Sequence, residues 1–337
     1  MTLTYWRFTT ISAAALAGLL ISSWTGVAQT RGGAPPRPTT GSGPYKAVME
    51  MDAGLPDHTV YRPEDMSALS GVTLPLVIWG NGACANAGNS FSNFLTDISS
   101  YGFLAIALGP IVERGATGPA GPPAAPAPAA PARGVQPAIQ QPTDSTQLPR
   151  NLPPAATHPS QMIDAIKWAT AENDRAGSKF YKHLNVGKIA VMGQSCGGVQ
   201  AIEVAADSRV TTAVIWNSGL FAQPSDMGGG KTLSKKDLES IHVPMAYIGG
   251  DATDIAHNNA NADFEYIKSI PVFRAWERGV GHGGTYNQPN GGEFAGIGVA
   301  WLNWQLKGDP RAALMFRGAD CGLCVNPKWV VQTKNLK

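Results

Sequence analysis

The chain has 337 residues, of which 43% are hydrophobic and 15% charged, and a formal net charge of +2. The apolar content is ample for a core of one large α/β domain or two small ones. A charge this close to neutral gives no electrostatic case for nucleic acid or an acidic partner, and the low charged fraction is more usual for an exported enzyme than a cytosolic one.

The first 28 residues read as a secretory signal. Arg7 supplies the positive end, Ile11–Ile21 the apolar core, and Gly26-Val27-Ala28 the small residues expected before a cut at Gln29. An uncleaved anchor is the alternative, but Ser, Thr and Gly interrupt the run before it reaches a span of ~20 residues. No later segment is long and apolar enough for a membrane helix. The expected mature protein is soluble and secreted or periplasmic, with no stable membrane insertion. Residues 29–44 are rich in Pro, Gly and Thr and read as a flexible leader.

From Tyr45 the pattern becomes that of a fold. Tyr45–Met51 and His58–Tyr61 read as strands about a turn, and Leu74–Trp79 as a buried strand entering Gly80-Asn81-Gly82-Ala83-Cys84. A helix over 91–101 follows, ended by Gly102, then a buried strand over Phe103–Leu108. Residues 114 to about 157 form a Pro/Ala/Gly tract with no period for burial, expected to be a disordered or polyproline-like insertion; a lid or surface tether is the functional alternative. Next come an amphipathic helix over Gln161–Asn173, a strand over Ile189–Met192, a small-residue helix over Gly198–Ala206 and a strand over Val210–Trp216. The polar stretch 228–241 reads as a loop with a short helix. Strands over Pro244–Ile248 and Val272–Trp276 and a helix over 292–306 complete the series. Buried strands alternating with amphipathic helices predict an α/β fold, a mostly parallel sheet with helices on both faces, in one domain over 45–337.

One stretch carries chemistry. The strand Ile189–Met192 runs into Gly193-Gln194-Ser195-Cys196-Gly197 and straight on into a helix. A serine on such a turn has its hydroxyl pushed out of the sheet, and the flanking glycines let the chain turn without a Cβ clash. A serine hydroxyl also needs a base within hydrogen-bond reach and a third group to orient that base. Both belong on loops at the carboxyl ends of later strands, acid first. Of six histidines, His58, His158 and His183 precede the serine, His242 enters a strand at the wrong end, and His257 is too close to the acids to act from a separate loop. His282, in a Gly-rich loop after the strand 272–276, is left as the base. The acid is Asp254 or Asp251, with Asp254 favoured because the apolar pair Ile255-Ala256 would fix it. The oxyanion needs two amides. Cys196 offers one at its helix N-terminus, and the loop after Trp79 the other, Ala83 in preference to Cys84.

Ser195, Asp254 and His282, preceded by Gly-Asn-Gly-Ala-Cys, resemble the α/β-hydrolase superfamily over about residues 45–306, nearest its exported dienelactone-hydrolase-like, chlorophyllase-like and cutinase-like (polyester hydrolase) branch. The resemblance implies an α/β-hydrolase fold and a serine esterase with an acyl-enzyme intermediate, no metal, no organic cofactor, and a small or polymeric ester as substrate. Amide or peptide cleavage by the same triad, and a non-catalytic surface-binding role, are the alternatives. The chain departs from polyester hydrolases in its Gln-Ser-Cys elbow, in its acid loop and in having no obvious aromatic clamp after residue 82. Cys84 and Cys196 flank the expected oxyanion hole and could bridge across it, while Cys321 and Cys324 could pair locally; three connectivities are open to the four cysteines.

Overall fold

Six apolar runs of this chain are too short for helices and apolar on both faces, and they lie side by side as parallel strands. The structure, a computed structural model, describes residues 40–69, 71–113 and 154–336. The expected signal, residues 29–39 of the leader and most of the Pro/Ala tract lie outside them. The parallel strands are β3 (Leu74–Gly80), β4 (Leu104–Leu108), β5 (Leu184–Gln194), β6 (Thr212–Trp216), β7 (Met245–Gly250) and β8 (Val272–Glu277). Antiparallel β1 (Ala47–Asp52) and β2 (Leu55–Pro63) extend one edge and β9 (Trp329–Lys334) the other, in the order β1-β2-β4-β3-β5-β6-β7-β8-β9.

Side-chain alternation along the strands feeds two cores. Leu76, Ile78 and Val191 point to one face, covered by α2 (Pro159–Asp174), α3 (Cys196–Val204) and α4 (His257–Tyr266) through Met162, Ile166, Ile202 and Phe264. Val77, Trp79 and Met192 point to the other, covered by α1 (Ser92–Ser100) and α5 (Gly292–Lys307) through Phe94, Ile98, Trp301 and Leu302. A short α6 (Pro310–Ala313) follows. From β3 the chain steps outward to β4 and then returns to place β5 on the other side of β3. Strand order therefore reverses at β3/β5, and the crevice outside the carboxyl ends of those two strands is the natural ligand site of an open parallel sheet. The Gly80–Cys84 loop and Ser195 both stand there.

The expected strands and helices appear, and the structure adds α4, α6 and β9. It also corrects two boundaries. The leader is not free over its last residues: Ser42 donates to Asp97 through both its amide and hydroxyl, and the Gly43 amide donates to Ser100 Oγ. The Pro/Ala tract ends before 157, because Thr157 is fully buried and donates to the Cys84 carbonyl from its amide (3.0 Å) and hydroxyl (3.1 Å). Among the described residues no helix is long and apolar enough to cross a membrane.

Candidate active site

The turn at Ser195 follows from its glycines. Ser195 holds φ 53° and ψ −120°, a conformation costly for a residue with a Cβ. A Cβ on Gly193 would lie 2.2 Å from the Gly197 carbonyl oxygen, and one on Gly197 would lie 2.1 Å from the Gly80 carbonyl. Only glycine fits at either place, so β5 can turn at once into α3 and lie against the end of β3. The backbone of Ser195 is pinned from below: its amide donates to the Trp216 carbonyl (3.0 Å), and its carbonyl accepts from Ser218 Oγ (2.6 Å).

Three side chains from three loops meet at this turn. His282 Nε2 is 2.9 Å from Ser195 Oγ, and His282 Nδ1 is 2.7 Å from Asp254 Oδ1. Asp254 is 3% exposed, and burial alone would raise its carboxyl; hydrogen bonds from the His282 ring, the Ala256 amide and the Asn217 side chain outweigh that and hold it below the ordinary aspartate value. An ionised carboxylate can only accept, so the proton between them sits on Nδ1, which leaves Nε2 free to accept from the serine hydroxyl. The arrangement can draw a proton from Ser195 Oγ as the oxygen attacks.

Asp251, the other candidate acid, is held by partners other than the imidazole. Its Oδ1 accepts from the Thr253 amide and hydroxyl, and its Oδ2 from the Gly279 amide at 2.6 Å, which ties the acid loop to the start of the histidine loop. His257 opens α4 with Nδ1 3.0 Å from the Gly250 carbonyl. The structure thus brings together Ser195, His282 and Asp254, and gives Asp251 and His257 other partners.

Cys196 follows the serine directly, and Ala83 precedes Cys84, the residue bonded to Cys196. Cys196 is the first residue of α3, where amides lack an intrahelical acceptor. Ala83 is exposed at the crevice in a left-handed conformation (φ 54°, ψ 17°), and Cys84 follows at φ 46°. Among the described residues neither the Ala83 nor the Cys196 amide donates to a backbone carbonyl. Cys84 and Cys196 form a disulfide, with Cα atoms 5.2 Å apart, and Cys321 pairs with Cys324.

Three further residues serve the constellation and carry no motif. Asn217, at the end of β6, donates to Asp254 Oδ2 (2.8 Å) and accepts at Oδ1 from the Tyr286 hydroxyl (2.5 Å). Gln194 donates from Nε2 to the His282 carbonyl (3.0 Å), and its Oε1 occupies the space a Cβ on Gly82 would need. Of the seven non-glycine residues with left-handed φ among those described, Ala83, Cys84, Ser195 and Asn217 stand here, so backbone strain is concentrated at this crevice.

No family model matches this chain, and no curated protein is similar to it in sequence.

Proposed function

We propose that this protein is an exported serine hydrolase of the α/β-hydrolase type that cleaves carboxylic esters. The observation that carries the reading is the unbroken relay from Ser195 Oγ through His282 to a buried Asp254, at 2.9 and 2.7 Å. Ser195 Oγ attacks the ester carbonyl while His282 Nε2 takes its proton. Asp254 holds the ring in the tautomer this requires and stabilises the imidazolium. The amides of Ala83 and Cys196 donate to the developing oxyanion, and His282 then gives the proton to the leaving alcohol. Water hydrolyses the acyl-enzyme by the same steps in reverse.

Export is supported by the signal-like leader and by two disulfides, which form and persist in oxidising compartments. Substrates are small or polymeric esters.

The test is turnover of matched p-nitrophenyl acetate and p-nitroanilide by the wild type and by Ser195→Ala. The expected result is ester cleavage well above anilide cleavage, and a fall of at least about 10⁴-fold in kcat for the variant. Undiminished turnover by Ser195→Ala would rule out the mechanism, and faster anilide cleavage would move the substrate class to amides.

A further inference from the structure

The Cys84–Cys196 disulfide joins one donor residue of the candidate oxyanion hole to the neighbour of the other. We propose that this bond is a positioning element for the oxyanion hole, holding the Ala83 amide in register with the Cys196 amide. The inference rests on the hydrolase reading above and concerns how the site keeps its geometry.

The conformation of the loop calls for such a strut. Ala83 and Cys84 are consecutive L-residues in the left-handed region, which crowds the Cβ of each against its own backbone. A strained pair of this kind persists only where its surroundings over-determine it. Hydrogen bonds hold the rest of the loop, but they lead elsewhere. Asn81 Nδ2 donates to the Ala85 carbonyl and to the Leu108 carbonyl at the end of β4, and the Cys84 carbonyl accepts from Ala156 and Thr157. None of these reaches the N-terminus of α3. The close approach of Gly80 to Gly197 fixes where the loop departs, three residues before Ala83. Beyond that point the disulfide crosses directly from the loop to the first residue of α3. Both sulfurs are buried, with the Met227 carbonyl oxygen 3.1 Å from Cys196 Sγ.

The consequence is specific to the transition state. An oxyanion hole acts through donors set for the tetrahedral oxygen, and the ground-state carbonyl uses them less. Loss of register therefore lowers kcat and leaves KM nearly alone. Removing one donor outright costs about 10²–10³-fold in kcat; a donor that is displaced but still present should cost less, about 10- to 100-fold.

The experiment compares the wild type with Cys84→Ala/Cys196→Ala, which keeps both backbone amides, and with Cys321→Ala/Cys324→Ala. Each is assayed for p-nitrophenyl acetate hydrolysis and for the rate at which diethyl p-nitrophenyl phosphate modifies Ser195, with circular dichroism as the check on folding. The expected result is a folded Cys84→Ala/Cys196→Ala protein with kcat and the phosphorylation rate both down about 10- to 100-fold, KM within about threefold, and Cys321→Ala/Cys324→Ala close to wild type. If the double alanine variant does not fold, Cys84→Ser/Cys196→Ser is read in its place. A kcat within about threefold of wild type, or a loss carried by KM, overturns the proposal. So does failure of both variants to fold, which would make the bond a staple of the fold. A wild type that cleaves neither ester nor anilide removes the hydrolase reading and this inference together, whereas an active wild type with active variants removes only this inference.

Discussion

Asp251 and Asp254 stand three residues apart on one loop, and burial and partners separate their roles. Asp254 is buried against the imidazole, while Asp251 is partly exposed and bound to the Thr253 and Gly279 amides. Asp254→Asn removes the charge that fixes the His282 tautomer, so kcat should fall about 10⁴-fold. Asp251→Asn loosens only the junction of two loops, and its loss should stay below about tenfold; steady-state kinetics on the two variants distinguishes them, and a larger loss at Asp251 would reverse the assignment. Asn217→Ala leaves Asp254 Oδ2 with the Gly250 amide (3.2 Å) and strands the Tyr286 hydroxyl, which is buried. A lost hydrogen bond of about 1–1.5 kcal/mol corresponds to roughly a tenfold fall in kcat. Ser195, His282 and the choice of Asp254 were legible in the sequence because chain order and strand ends restrict where such groups can stand. Asn217, Tyr286 and Gln194 were not: an Asn after a strand reads as a turn, a Tyr near an apolar helix as core, and a Gln before the serine as filler.

At the scale of elements, the continuous apolar runs and the 3.6-residue periodicity of α2 and α5 made the parallel sheet and its helices readable. The elements that were missed share a physical reason. The α4 sequence, His-Asn-Asn-Ala-Asn-Ala-Asp-Phe-Glu-Tyr, buries Ala260 and Phe264 alongside the polar Asn259 and Asp263, so no apolar period marks it. Asp263 is tolerated there because Lys235 Nζ, 2.5 Å away, and the Leu220 amide satisfy it. β9 is an edge strand whose one fully buried residue is Trp329, too little contrast to announce a strand. Thr157 looked like part of the Pro/Ala tract because its burial depends on Cys84 and Gln200, 73 and 43 residues away. The glycines of the elbow give the test at this scale. Gly197→Ala would press a Cβ into the Gly80 backbone at 2.1 Å, where no flexible side chain can yield. It should destabilise the protein by about 1–3 kcal/mol, seen in denaturant melts, and displace Ser195 enough to remove ester turnover. An active Gly197→Ala protein of wild-type stability would contradict this packing.

For the molecule as a whole, covalent links and charge shape stability. The Cys84–Cys196 bond spans 112 residues, and chain-entropy estimates assign such a loop up to about 4–5 kcal/mol, whereas Cys321 and Cys324 are only three residues apart. Thermal melts should therefore place Cys84→Ala/Cys196→Ala well below Cys321→Ala/Cys324→Ala, and equal Tm values would contradict the ranking. Hydrogen bonding from Arg209 lowers the Asp207 carboxyl to about 2. A carboxyl that binds its proton more weakly folded than unfolded stabilises the fold above its unfolded value, and the contribution disappears as pH falls through the folded one. The stability gap between wild type and Arg209→Gln should accordingly be constant above about pH 5 and shrink toward pH 2; a gap that widens on acidification would contradict it. The central claim, that Ser195 becomes acylated, is tested most directly by rapid acid quench of the wild type during p-nitrophenyl acetate turnover, followed by peptide mass mapping. The predicted result is a single acetyl group on Ser195, with a p-nitrophenol burst approaching one per chain. An acetyl group on another residue, or turnover with no covalent adduct and no burst, would contradict it.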